Sequence, residues 1–157
     1  MSGFRRGVRL GIDVGKARIG VARCDPDGML AVPVETVARS EQSLARIAEL
    51  AAEYEPREFV VGLPINMQGT DTPSTLDARE FASDLQRLTG VPVRMIDERL
   101  STVTAHAALR TSGRTQRKSR SIVDQIAAVV LLQHAIDTEK STGNPAGFVV
   151  PTDEEPV

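Results

Sequence analysis

The sequence predicts an α/β domain: a mixed five-stranded sheet, three strands in an antiparallel meander and two parallel, flanked by helices. Three observations carry this reading. Three β-rich runs joined by short turns open the chain, as a meander requires. Helix-period and strand-like segments then alternate, which implies parallel strands linked by crossover helices. The chain has 157 residues, 41% hydrophobic and 25% charged, which suits one globular domain around one core.

The elements follow in order. Val8 to Val14 and Ala17 to Cys24 are aliphatic and β-branched, and Gly15-Lys16 between them reads as a hairpin turn. Asp25-Pro26-Asp27-Gly28 is a second turn. The third strand, Met29 to Val37, contains Pro33. A proline gives no backbone donor, so this strand belongs at an edge. Ser40 or Ser43 can cap a helix carrying Leu44, Ile47, Leu50, Ala51 and Tyr54, which Pro56 ends. Phe59 to Leu63 is a short buried strand running into Pro64, followed by a polar loop from Ile65 to Pro73. Leu76, Phe81, Leu85 and Leu88 mark a second helix closed by Gly90. Val91 to Ile96 is the fifth strand and ends at Asp97-Glu98-Arg99. Ser101 caps a third helix, residues 113–119 read as a basic loop, and Ile122 to Ile136 reads as a long apolar helix. Residues 1–138 form the domain. Residues 139–157, with three prolines and Asp153-Glu154-Glu155, read as a disordered tail.

Composition excludes several function classes. One cysteine, Cys24, permits no internal disulfide, and with two histidines a Cys- or His-rich zinc site is not expected. Aromatics are 3% of the chain and Trp is absent, so nucleic-acid binding would rest on charge and shape more than on stacking platforms. The first nine residues lack the apolar core of a signal peptide, and no run has the length of a membrane span.

The acids are the informative residues. Asp13 sits inside an apolar strand run, and an unpaired carboxylate is costly to bury. Taken alone, Asp13 reads first as a turn cap that accepts N–H groups from Gly15 or Lys16. Two more acids shift the reading. Glu98 closes the fifth strand. Asp124 shares a helix face with Ala127, Ala128 and Leu131, where an acid needs a partner. Ligands of open α/β sheets gather at the carboxyl ends of strands, which is where Asp13, Gly62-Leu63-Pro64 and Glu98 fall. Three converging carboxylates repel one another unless a cation joins them. Oxygen-only ligands suit Mg²⁺ or Mn²⁺, one ion or two, and such ions support phosphodiester hydrolysis.

Charge is uneven. The net charge is −2, yet Arg99 to Val123 holds Arg99, Arg110, Arg114, Arg117, Lys118 and Arg120 with no acid, leaving −8 on the rest. A solvated surface explains such a run. Its position between Glu98 and Asp124 makes it a candidate phosphate-backbone track. Lys16 and Arg18, in the turn after Asp13, are candidates for the same role.

The glycine motifs do not fit nucleotide-binding patterns. Gly11 to Ala17 has three residues between its glycines where a P-loop has four, has Ala17 where Ser or Thr is needed, and runs into a strand where a helix is required. The phosphate hairpin of actin-type and sugar-kinase ATPases needs two related domains, more than 157 residues supply.

Four motifs in one order now resemble a known family: Leu10-Gly11-Ile12-Asp13-Val14-Gly15 through Arg18-Ile19-Gly20-Val21-Ala22; Val61-Gly62-Leu63-Pro64 with Asn66-Met67 and Gly69-Thr70; Asp97-Glu98-Arg99-Leu100-Ser101-Thr102; and Val123-Asp124 with Ala127-Ala128. They resemble the YqgF (RuvX) family over about Arg9 to Ile136. The resemblance implies a ribonuclease H-like fold related to the RuvC resolvases, with catalytic, metal-holding acids at Asp13, Glu98 and Asp124. It implies a metal-dependent nuclease of the bacterial cytoplasm that processes the 5′ end of pre-16S rRNA, with precursor ribosomal particles as partners. The alternatives it carries are resolution of four-way DNA and a non-catalytic, ribosome-associated binding role. A resolvase that cuts two strands needs a symmetric dimer; the residues themselves fit a monomer or a homodimer. Two departures stand out. Thr104 occupies a position that is often acidic in the family, and Ala17 one that is often basic.

Overall fold

The computed structural model describes residues 3–100 and 116–152, with backbone alone at 100 and 116–123. The order is β1 (Arg9–Val14), β2 (Arg18–Cys24), β3 (Ala31–Ala38), α1 (Ser43–Tyr54), β4 (Glu58–Leu63), α2 (Pro73–Thr89), β5 (Val93–Asp97), a 3-10 turn (Glu98–Leu100), α3 (Gln116–Thr142) and β6 (Phe148–Val149). The strands form one sheet in the order β3-β2-β1-β4-β5-β6. β1, β4 and β5 run parallel, and the other neighbours pair antiparallel. β3 is an edge strand, as Pro33 requires, and its pairing with β2 slips one residue there, leaving Val34 as the extra residue.

Alternation along the strands divides two cores. Leu10, Ile12, Ile19, Val21, Phe59, Val61, Val93 and Met95 point to the face covered by α1 and α2. Ala22, Cys24, Val60 and Ile96 point to the face covered by α3, where they meet Ala128, Leu131, Leu132 and Ile136. Asp13 is two residues on from Gly11 and shares its face, the α3 side. α2 starts well because Thr72 and Thr75 form a reciprocal capping box ahead of Pro73, and it stops at Gly90 with φ 73°.

Two glycines set how close α3 approaches. A Cβ on Gly20 would run into the Asp124 carbonyl oxygen, and one on Gly11 would lie 2.9 Å from the Ala128 carbonyl oxygen. The helix backbone therefore rests directly on the β1–β2 hairpin. Gly20 pairs with Asp13 across the two strands. The residue opposite Asp13 is thus the one that seats Asp124.

The sheet differs from expectation in having six strands. The segment expected as a tail is built into the domain as far as it is described. α3 runs to Thr142, and Phe148–Val149 pairs with Met95 and Arg94 of β5. Val150 is buried, and its carbonyl accepts from Gln86 Nε2 at 3.0 Å. At its other end α3 begins at Gln116, so residues 116–119 are helical and not loop. Gln, Arg and Lys are good helix formers, and a polar run of them reads as loop only by composition. The helix expected from Ser101 lies outside the described residues.

The starts of β1 and β4 carry a buried charge network. Arg9 is 1% exposed and bonds Glu58 Oε2 at 3.4 Å and Glu139 Oε2 at 3.2 Å. Arg5 Nη2 reaches Glu58 at 3.0 Å and Glu139 at 2.8 Å, and Arg94 Nε reaches Glu58 at 3.4 Å. Among the described residues, no helix is long and apolar enough to cross a membrane.

Candidate active site

The site lies at the opposite end of the sheet, where β1, β4 and β5 finish. Ile12 pairs with Val61, so Asp13 and Gly62 come next on adjacent strands. Gly62 pairs with Ile96 of β5, and the chain then turns through Asp97 into Glu98. Glu98 lies across Gly62: a Cβ there would collide with the Glu98 carboxyl group. This crossing brings Glu98 into hydrogen-bond contact with the Asp13 side chain. Gly62 is needed because its missing side chain is the space Glu98 fills. Leu63 is core, and the Pro64 carbonyl accepts from the Thr75 hydroxyl, so both fix the strand end without lining the acids.

Adjacent acids are pushed in opposite directions. Burial, the hydrogen bond to Asp13 and the charge of Asp13 push the Glu98 carboxyl up to about 10, so at neutral pH it is protonated and donates to Asp13. Hydrogen bonds from Arg99 hold Asp97 below the ordinary carboxylate range, with Arg99 Nη2 at 2.6 Å from Oδ2. Arg99 is half-exposed on the rim, tied to Asp97.

Asp124 is held by its backbone on Gly20 and by its side chain on Arg18, whose Nε donates to Oδ2 at 2.8 Å. The structure therefore brings Asp13 and Glu98 together and places Asp124 on the same face, paired with Arg18. Among the described residues, no three acids, histidines or cysteines form a ready-made metal cluster. Lys16 is exposed at the hairpin tip. Gly15 closes that turn through its N–H to the Arg18 carbonyl at 2.9 Å, and its own carbonyl accepts from Arg39 Nη1 at 2.9 Å. Arg39 also pairs with Asp77 of α2 at 2.7 Å and so braces the turn. Arg114 lies outside the described residues. Arg117, Lys118 and Arg120 fall in the first turns of α3, where only the backbone is described.

The Arg18–Asp124 pair, the Arg39 brace and the seat at Gly20 are not evident from the sequence. Only the last left a signal: a glycine opposite Asp13 in a hairpin whose turn is fixed.

The raised Glu98 carboxyl gives a signed expectation. A carboxyl with a folded-state pKa above its unfolded value loses stability as pH rises between the two, here from about 4.5 to about 10. Gln is neutral throughout and its amide can still donate to Asp13. Glu98→Gln is therefore expected to leave the melting temperature nearly unchanged at pH 5. By pH 8 in EDTA it should raise it by several degrees, because each pH unit between the two values costs the wild type up to about 1.4 kcal/mol. Equal melting curves at both pH values would show that the two acids do not share a proton.

The fold is that of the RuvC nucleases. Thermus thermophilus RuvC in complex with a Holliday junction substrate superposes with a TM-score of 0.55 at 20% identity, over 88% of this chain and 98% of that one. A second Thermus thermophilus RuvC structure gives 0.52 at 17% identity, over 88% and 99%.

The chain belongs to the RuvX family of Holliday junction resolvases, whose model matches residues 7–138. Family membership makes it a nuclease and so a hydrolase. Relatives from Clavibacter michiganensis subsp. michiganensis (53% identical, 94% of each chain), Nocardioides sp. (53%, covering 94% and 98%) and Streptomyces coelicolor (51%, covering 92% and 88%) each bear the name "Putative pre-16S rRNA nuclease".

Proposed function

We propose that this chain is a divalent-cation-dependent endonuclease that cuts phosphodiester bonds in structured RNA, trimming the 5′ end of pre-16S rRNA in the cytoplasm. The observation that carries the reading is the Asp13–Glu98 contact across the end of β4, with Glu98 seated on Gly62. Two carboxyl groups in contact must share a proton or a cation. Their oxygen-only donor set fits Mg²⁺ or Mn²⁺ and does not favour softer metals. Asp13 and Glu98 would hold the ion, and Asp124, fixed through its backbone on Gly20, would complete the set. When bound, the cation supplies a water acidified toward neutral pH and charge stabilisation at the phosphate.

The chain's own residues do the rest. Glu98, protonated beside Asp13, would have to give up that proton to hold a cation, which would make cation binding proton-linked. Arg18 orients the Asp124 carboxylate through Nε. Lys16, Arg99 and the basic residues Arg114, Arg117, Lys118 and Arg120 supply phosphate contacts along the backbone of the substrate.

The RNA reading is supported by the names of relatives near 53% identity, the DNA-junction reading by the family's description. A paired cleavage assay on a pre-16S rRNA fragment and a four-way DNA junction decides between them. The expected result is cutting of the RNA with Mg²⁺, loss of all cutting in EDTA, and recovery on adding Mn²⁺. Cutting that persists in EDTA removes the cation-based mechanism. Salt-sensitive binding without turnover on either substrate would leave a binding factor.

A further inference from the structure

The loop between β4 and α2 supplies none of the candidate acids, yet it is closely built. Ile65 and Asp71 form an antiparallel bridge. Between them Asn66 ties the turn. Its Oδ1 accepts from the Gln68 and Thr70 amides at 3.0 and 2.9 Å, its carbonyl accepts from Gly69 N–H at 2.9 Å, and its Nδ2 donates to Thr70 Oγ1 at 2.6 Å. Gly69 supplies the left-handed backbone, φ 80°, that the turn needs.

At the tip stands Met67, 87% exposed, the most exposed of the large hydrophobic side chains among the described residues. A lone exposed methionine on a floppy loop would need no explanation. Here a network of hydrogen bonds holds one out into water. The loop springs from the same strand end as Gly62 and Leu63. A Cβ on Gly69 would lie 3.5 Å from Arg99 Nη1, so the turn stands on the rim with the candidate phosphate-binding arginine.

We propose that Met67 is a base-contacting residue: its thioether packs on an unstacked RNA base beside the phosphate presented to the acids. This deepens the nuclease reading and rests on it. Methionine suits the task because its flexible, polarizable side chain packs against aromatic rings of differing shape. In a continuous A-form helix every base face is covered and the major groove is closed to side chains, so only a splayed or single-stranded base offers such a surface. The site then prefers RNA with an unpaired nucleotide next to the cut over a continuous duplex. The contact is apolar, so it adds affinity without adding salt dependence, unlike the phosphate contacts.

The test is fluorescence anisotropy in EDTA with two RNAs, a hairpin with an unpaired 5′ flank and a continuous duplex, using the wild-type protein, Met67→Ala, Met67→Leu and Met67→Gln. Met67→Ala and Met67→Gln are expected to weaken binding of the flanked hairpin about tenfold, some 1.4 kcal/mol, and to leave duplex binding and melting temperature unchanged. Met67→Leu should retain the affinity for the flanked hairpin. Unchanged affinity of Met67→Ala for the flanked hairpin, or an equal loss on both RNAs, overturns the role of Met67 alone. Failure of the wild-type protein to bind either RNA overturns the nuclease reading along with it.

Discussion

Asp13→Asn is expected to slow cleavage by about 10³-fold or more while leaving the protein folded. Asn keeps the shape of Asp13 and one carbonyl oxygen but removes the charge. That charge faces Glu98, and its strand position is opposite Gly20, the seat of Asp124. The substitution strips the charge from the acid that meets Glu98. It also removes the charge that helps keep Glu98 protonated, and the Asn carbonyl can still accept from Glu98, so the melting temperature should stay level or rise. Retained stability with lost activity is the signature of a site whose geometry is held against its own electrostatics. Single-turnover cleavage of the precursor RNA, read beside a thermal melt, measures both. Full activity in the purified variant would remove Asp13 from the chemistry. Lost activity together with lost structure would assign it a structural role.

The second large effect lies at the other end of the sheet. Glu139→Ala is expected to destabilise the fold by about 3–5 kcal/mol, a large part of the roughly 5–15 kcal/mol that holds a domain of this kind together. Glu139 is 2% exposed and accepts from the Arg5 backbone N–H at 2.6 Å, from the Arg5 side chain and from Arg9. Removing it leaves the Arg9 guanidinium, 1% exposed, with only the longer 3.4 Å bond to Glu58 for a carboxylate partner. The Phe4 ring 4.5 Å away offers partial compensation through its face.

Burial raises the Glu139 carboxyl, but hydrogen bonds from Arg5 and the charge of Arg9 outweigh that and hold it below its ordinary value. Its contribution is therefore present at neutral pH and is lost as pH falls below about 4.5 through the lowered folded-state value. Urea unfolding of wild type and variant at pH 7 and pH 4 checks both size and sign. A difference below about 1 kcal/mol at pH 7 would mean that water reaches Arg9 easily.

The two ends of the sheet differ in how legible they were. Asp13 and Glu98 stand out as candidates because acids at the ends of apolar strands break a pattern, and Asp124 because it breaks a small-residue helix face. Local pattern also placed β1 to β5, α1 and α2, and put Pro33 at an edge. Glu139 could not be found the same way. Its partners come from residues 5 and 9, far along the chain, so a buried acid on α3 looks like a solvent-facing one, and the helix looked complete at Ile136. β6 is two half-exposed residues held by the edge of β5, too short for any period to register. The Arg18–Asp124 pair joins a hairpin turn to a helix start and depends on long-range docking. A turn that holds an apolar side chain in water is likewise invisible until its hydrogen bonds are seen.

The Arg5–Glu139 tie has a practical corollary. Residues 3–5 run beside Glu139 and Gly143, and β6 carries the chain back along β5 until Val150 donates to Val93 at 2.8 Å. Both ends of the described chain therefore leave from the pole of the sheet away from the carboxylates. A tether or fluorophore attached at Gly3 or Thr152 would sit on the far side, leaving the acidic rim and the Met67 turn open to a long polynucleotide. The protein is thus suited to surface-immobilised, single-molecule observation in the orientation its substrate needs.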